Sequence, residues 1–255
     1  MTADRGLALF DLDGTLLPID SDHAWGEFMV ALGWVEAASF RRGNDAFYAQ
    51  YQAEALDIGA YIEFATAPLR AQDAATRAAA RERFMREVIA PALKPAARAL
   101  VEAHRGRGDL LALVTSTSDF ITAPIAAAFA IDALIATRLE AAADGAPTGR
   151  IDGVPAFREG KVARVGQWLA ASGADWASFA RISVYSDSVN DLALLERATD
   201  PVATNPSPAL EAIARARGWR VLHLFACPIW PPAAEAAASA DAAPDHASEG
   251  APVCE

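Results

Sequence analysis

Asp11 and Asp13 stand two residues apart, directly after the apolar run Leu7-Ala8-Leu9-Phe10 and just before Gly14-Thr15. A second carboxylate pair, Asp187 and Asp191, follows another candidate strand, Arg181 to Tyr185, in the stretch Ser186-Asp187-Ser188-Val189-Asn190-Asp191. Between the pairs lie the hydroxyl run Thr115-Ser116-Thr117-Ser118, after Leu110 to Val114, and the dipeptide Gly160-Lys161. Such a set suits phosphate chemistry. A phosphate monoester is close to a dianion at neutral pH, and a carboxylate approaching it meets about 4 kcal/mol of repulsion per charge pair at 4 Å and an effective dielectric of 20. Something cationic must offset that. Mg²⁺ takes one or two protein carboxylates and completes its octahedron with phosphate and water, and Asp11 and Asp187 are the obvious pair. Lys161 adds a fixed point charge. The Thr115 hydroxyl and the amides after it can bond phosphate oxygens near a helix start, with Ser116 as the alternative contact. Asp191 reads as orienting Lys161 or water on Asp187 without binding metal directly. Asn190 reads either as a helix-start cap or as a hydrogen bonder on the ligand side.

These residues need a scaffold that brings strand ends together. Alternation sends Leu7 and Leu9 to one face and Ala8 and Phe10 to the other, so both faces are apolar, as in a central parallel strand covered on both sides. Sheets of that kind bind ligands at the carboxyl ends of their strands, where Asp11 and Asp13 fall. Gly14 allows the sharp turn that follows. From about residue 20 to 92 no strand pattern occurs; Trp25, Phe28, Met29 and Leu32, then Tyr61, Phe64 and Leu69, recur at helical spacing. Strand and helix alternate again from about 94 to 223, with an Asp144-Gly145 turn predicting a small β-hairpin between 137 and 157. There are no internal repeats. The expected fold is α/β, a Rossmann-like doubly wound parallel sheet with an all-helical insertion.

The stretches FDLDGTL, LVTSTSDF, GKVARV and YSDSVNDLALLE resemble the motifs of the haloacid dehalogenase superfamily of phosphohydrolases. DSDHAWGEF and NDAFYAQY bring the likeness closer to the subgroup that holds phosphoserine phosphatase and bacterial histidinol-phosphatases. The likeness covers about residues 7 to 223. It implies a core of residues 1–18 and 93–225, a helical cap of residues 19–92 over the site, and a tail over 226–255. It also implies that the Asp13 backbone carbonyl joins Asp11 and Asp187 around Mg²⁺. Asp11 is then the nucleophile of an aspartyl-phosphate pathway, which splits one difficult hydrolysis into two steps. Asp13 protonates the leaving alkoxide and then activates water. Superfamily members that break carbon–halogen or carbon–phosphorus bonds lack an aspartate at that position, so its presence favours phosphate esters.

Substrate choice belongs in the cap, because the core handles only the phosphate. Asp20, Asp22, His23 and Trp25 follow the nucleophile loop, and Asn44, Phe47, Tyr48 and Tyr51 share one cap helix. Phosphoserine phosphatases carry a glutamate at the position of Asp20, facing the substrate's amino group; here the acid is shorter and is followed by Asp22 and His23. An acidic, aromatic-lined pocket suits an amine and a flat imidazole, the groups of L-histidinol phosphate. The competing reading makes Asp22 a helix cap and Trp25, Phe47 and Tyr51 packing residues. No counterpart is evident for an arginine that would hold phosphoserine's carboxylate, with Arg41, Arg42 and Arg70 unplaced. The expected activity is therefore a Mg²⁺-dependent phosphomonoesterase acting on a small phosphorylated metabolite, L-histidinol phosphate first. Phosphoserine or another small phosphate ester comes second, and a phosphotransferase, a mutase or a non-catalytic phosphate-binding module behind them.

Composition agrees with that class. The chain has 255 residues, enough for a full core and an insertion, and 53% apolar content that comes largely from alanine. No run of about 18 apolar residues predicts a membrane span. Met1 to Arg5 lead straight into the first strand, so no signal peptide and a cytoplasmic location are expected. Cys227 and Cys254 are poor catalytic candidates, and a disulfide between them is not expected in a reducing compartment. Of the net charge of −11, residues 233–255 contribute five acids and no Lys or Arg, so −6 remains for the rest. That balance argues against nucleic acid as a partner, and the Ala/Asp/Pro/Ser-rich tail is expected to be disordered.

Overall fold

A computed structural model of the chain describes residues 5–226. After β1 (Leu7–Phe10) the chain enters α1 (Ser21–Ala31), α2 (Ala37–Gln52), α3 (Ile58–Arg70) and α4 (Ala74–Phe84). A π-helical turn over Met85–Ile89 and a short α5 (Ala90–Ala92) close this helical insertion. Then come α6 (Pro95–Gly106), β2 (Leu110–Ser118), α7 (Asp119–Ala128), β3 (Ala133–Thr137), and the hairpin strands β4 (Leu139–Ala141) and β5 (Pro147–Ile151). The chain finishes with α8 (Glu159–Ala171), β6 (Ile182–Ser186), α9 (Leu192–Leu195), β7 (Asp200–Thr204), α10 (Pro208–Arg217) and β8 (Arg220–Leu222). The tail from 227 onward, with both cysteines and the five acids, lies outside the described residues.

Six strands form one sheet in the order β3-β2-β1-β6-β7-β8, and every pairing in it is parallel. The centre is β1, whose residues are all buried. Phe10 and Ala8 pack on one side with α6, α7 and the insertion. Leu7 and Leu9 pack on the other with α8, α9 and α10. This is the doubly wound arrangement expected from the two apolar faces of that strand.

The helices of the insertion begin where a carboxylate can take up their first amides. Asp20, Glu36, Asp57 and Asp73 each accept N–H groups at the starts of α1 to α4, satisfying donors that a helix start leaves open and meeting the positive end of its dipole. The hairpin turns at Asp144-Gly145, as predicted, and β5 lies against α3. Gly149 takes φ +91°, a conformation that favours glycine, and a side chain there would have to displace the ends of Glu63 and Arg70. Arg77 Nη2 of α4 donates to the Asp144 carbonyl at 3.2 Å, a second tie between insertion and hairpin. Among the described residues no helix is long and apolar enough to cross a membrane.

Candidate active site

The parallel register of β1 with β2 and β6 brings three strand ends together. Asp11 follows β1, Asp187 follows β6, and Ser116 and Thr117 lie at the end of β2. Gly14 (φ +74°) turns the chain back after Asp13, and Asn205 Nδ2 pins that turn by donating to the Gly14 carbonyl at 2.8 Å. The Thr15 hydroxyl stands between Asp11 Oδ2 at 3.3 Å and Asp187 Oδ1 at 3.1 Å. The two carboxylates thus face a common point although 176 positions separate them in sequence.

Lys161, in the first turn of α8, reaches Asp11 Oδ1 at 2.8 Å and the Asp191 carboxylate at 2.7 Å. Asp191 also accepts from the Ser186 hydroxyl at 2.8 Å. Burial alone pulls the Lys161 amine down, but the Asp11 and Asp191 charges outweigh it and hold it above the usual lysine value. Burial pushes Asp191 up to about 6 against the pull of Lys161. The lysine is therefore a fixed cation, and Asp191 is the group that aims it.

Asp13 is placed differently. Its Oδ1 accepts from the Ser21 amide at 2.7 Å and its Oδ2 from the Thr117 hydroxyl at 2.9 Å. Burial, then the charges of Asp20 and Asp11, push its carboxyl well above the ordinary range. Two carboxyls so close, one paired with lysine and one held toward its neutral form, are equipped for different jobs.

Above them opens a small cavity whose walls include Asp20, Asp22, His23, Asn44, Phe47, Tyr48, Tyr51 and Tyr61. Ser116 and Thr117 line it on the side of the sheet. Asp20 spends its Oδ1 on the Asp22 and His23 amides at 3.0 and 2.8 Å, capping α1 while facing the cavity. Asp22 hydrogen-bonds Tyr61; burial, then the Asp20 charge, push its carboxyl up to about 7. His23 Nε2 lies 2.9 Å from Asp45, and its ring packs on Tyr48 with centroids 5.0 Å apart. Asn44 Nδ2 donates to the His23 carbonyl at 3.1 Å, fixing that stretch of wall.

Three expected contacts sit elsewhere. Trp25 lies away from the cavity, 1% exposed and ringed by Phe28, Trp34, Phe84 and Phe120, because its large ring is taken up by this aromatic cluster in the core. Thr115 is buried in β2, where its hydroxyl accepts the Thr117 amide at 3.2 Å; Ser116 is the one of the two that lines the cavity. Asn190 neither caps nor lines. Ser188 accepts its amide, and its side chain bridges to the Tyr51 carbonyl and to Arg158. Sequence reasoning missed Thr15, Thr117, Asn205 and Tyr61. Only Thr117 left a readable signal, as a member of the hydroxyl run Thr115 to Ser118 at a strand end.

The donor set fits a hard divalent cation. Asp11 and Asp187 converge in a buried site with several carboxyls, and the Lys161 ammonium touches Asp11 and Asp191. Among the described residues no group of three His, Cys, Asp or Glu forms an all-protein ligand cage. Two carboxylates with room for main-chain, water and substrate oxygens is the manner of Mg²⁺.

A parallel sheet with paired aspartates at adjacent strand ends, a lysine fixed between carboxylates and a helical insertion above defines a class of hydrolase. The profile of the haloacid dehalogenase-like hydrolases matches residues 8–196, and the chain belongs to that family. A histidinol-phosphatase of Neisseria meningitidis is 42% identical over 86% of this chain and 99% of its own length. A solved Bordetella pertussis protein of unknown function is 50% identical, with a TM-score of 0.83 over 88% of this chain and all of that one. A substrate-bound phosphoserine phosphatase is 17% identical, with a TM-score of 0.62 over 86% and 93% of the two chains, and shares the fold. The chain is a phosphoric monoester hydrolase of that family.

Proposed function

We propose that this chain is a Mg²⁺-dependent phosphomonoesterase that works through an aspartyl-phosphate on Asp11, with L-histidinol phosphate as its substrate and the helical insertion as the cap. The observation that carries the substrate is the cavity wall: aspartates and aromatic rings line it, and among the described residues no arginine or lysine does. Arg41 is paired with Glu27 and Arg70 with Glu63, while Arg42 is exposed. A substrate carboxylate would meet Asp20 and Asp22 there without a counter-ion, whereas an ammonium and a flat ring find partners. The 42% identical histidinol-phosphatase supports the same choice.

Asp11 and Asp187, with the Asp13 carbonyl, would hold Mg²⁺, which neutralises charge between the attacking carboxylate and the phosphoryl oxygens. Ser116 and the amides after it take phosphoryl oxygens, with Lys161 beside Asp11 supplying positive charge. The Asp11 carboxylate forms a bond to phosphorus while the bond to the substrate alcohol breaks. Asp13, held toward its protonated form, gives its proton to the leaving oxygen. Asp13 then removes a proton from water, whose oxygen attacks phosphorus, and Asp11 leaves as carboxylate with release of inorganic phosphate. General acid–base help of this kind contributes about 10²–10⁴-fold.

The test is phosphate release from L-histidinol phosphate, L-phosphoserine and p-nitrophenyl phosphate, with Mg²⁺ and with EDTA. The reading expects kcat/KM for histidinol phosphate far above the other two and no turnover in EDTA. Preference for phosphoserine, or equal values for all three, would overturn the substrate assignment.

A further inference from the structure

Two exposed or half-buried residues outside the cavity wall carry backbone that side-chain-bearing residues rarely adopt, and they touch each other. Arg158, just before α8, has φ +52° and ψ −126°, a region glycine fills easily and other residues avoid. Glu54, just after α2, has φ +57°. The Arg158 guanidinium donates to the Glu54 carbonyl through Nη2 and to Asn190 Oδ1 through Nε at 3.3 Å. Asn190 Nδ2 in turn donates to the Tyr51 carbonyl at 3.4 Å. The guanidinium carbon lies 5.0 Å above the Phe157 ring, whose centroid is 6.4 Å from that of Tyr51. The Arg158 carbonyl accepts the Lys161 amide at 3.0 Å.

We infer that Arg158 is a positioning residue: it straps the end of α2 to the loop carrying Asp187 to Asp191. Arg158 holds Asn190, next to the aspartate that aims Lys161, and through Asn190 the main chain of Tyr51, which lines the cavity. Roof and catalytic floor are thereby set together. Arg158 does not itself line the cavity, so it acts through the groups it holds. A glycine would sit at this backbone without strain, and what it would lose is the strap. The inference rests on the phosphatase reading for its kinetic arm only.

The variants are Arg158→Gly and Arg158→Lys in the full chain. Arg158→Gly relaxes the backbone, so its melting temperature should match or exceed that of the wild type. Its amides at residues 53–56 should nonetheless exchange hydrogen faster. Its kcat/KM for L-histidinol phosphate should fall about tenfold, the equivalent of one charge-assisted hydrogen bond, mostly as a rise in KM. The loss on p-nitrophenyl phosphate, which makes little use of the roof, should be smaller, and Arg158→Lys should recover part of the difference. Unchanged exchange at 53–56 would overturn the strap. So would an equal loss on both substrates, or one that follows a fall in melting temperature. If the wild type hydrolyses neither phosphate ester, the phosphatase reading fails, and hydrogen exchange still decides the strap.

Discussion

Asp22→Asn removes one charge from the cavity wall and keeps its shape. The carboxyl of Asp22 is pushed up to about 7 by burial and by the Asp20 charge. A group with that pKa is about one-tenth ionised at pH 6 and about nine-tenths ionised at pH 8. If its carboxylate meets the substrate ammonium, kcat/KM for a cationic substrate should climb about tenfold across that range, since kcat/KM reports the free enzyme's groups. The ratio must be taken against p-nitrophenyl phosphate, so that titration of the phosphate and of the catalytic carboxyls cancels. O-phosphoethanolamine is a clean cationic probe, because its alkyl ammonium keeps its charge throughout. A buried charge-assisted hydrogen bond contributes about 1.5–3 kcal/mol. In Asp22→Asn the ratio at pH 8 should therefore fall about 12- to 150-fold and lose its pH dependence. The stability sign is opposite. A raised carboxyl binds more protons in the folded state between its unfolded and folded pKa, so wild-type stability falls as pH rises toward 7. The asparagine variant should accordingly melt higher than wild type at pH 8. A flat wild-type ratio, or equal losses on both substrates, would refute the argument.

Asp11→Asn should abolish phosphate release while circular dichroism and melting temperature stay close to wild type. Thr117→Val removes the hydroxyl that donates to Asp13; kcat should drop about tenfold, the cost of one hydrogen bond to a carboxylate, with KM little changed in steady-state assays. His104 lies buried with Nδ1 2.7 Å from Asp109 and Nε2 2.7 Å from the Tyr185 hydroxyl. Burial holds its pKa below the ordinary histidine value against the opposing pull of Asp109. The unfolded chain thus binds more protons below about pH 6.5, and stability should fall as pH drops through that range. Urea midpoints between pH 7 and 5 should fall less steeply in His104→Gln.

The parts of this molecule that were legible in its sequence are those set by local pattern. Leu7 to Phe10 declared a central strand because both of their faces are apolar. The Asp144-Gly145 turn declared the hairpin, and unbroken helical spacing declared the insertion. The four motifs could be placed at strand ends and a helix start for the same reason. What remained hidden was set by packing between distant segments. Thr15 joins Asp11 to Asp187, Thr117 holds Asp13 from 104 residues away, and Asn205 pins the Gly14 turn across the sheet. Trp25 was misplaced because an aromatic residue near a site and one in the core look alike until the helix phase is fixed against the sheet. Arg158 gave no sign, since an unfavourable backbone angle leaves no trace in residue type when the residue is not glycine.

The covalent step on Asp11 is the centre of the account. Rapid acid quenching of the wild-type chain during turnover of L-histidinol phosphate with Mg²⁺, followed by borohydride reduction and peptide mapping, tests it directly. The account expects reduction of a single aspartyl-phosphate at Asp11, absent in Asp11→Asn and absent when EDTA replaces Mg²⁺. Steady phosphate release with no modification at Asp11, or with modification at another carboxylate, would contradict it.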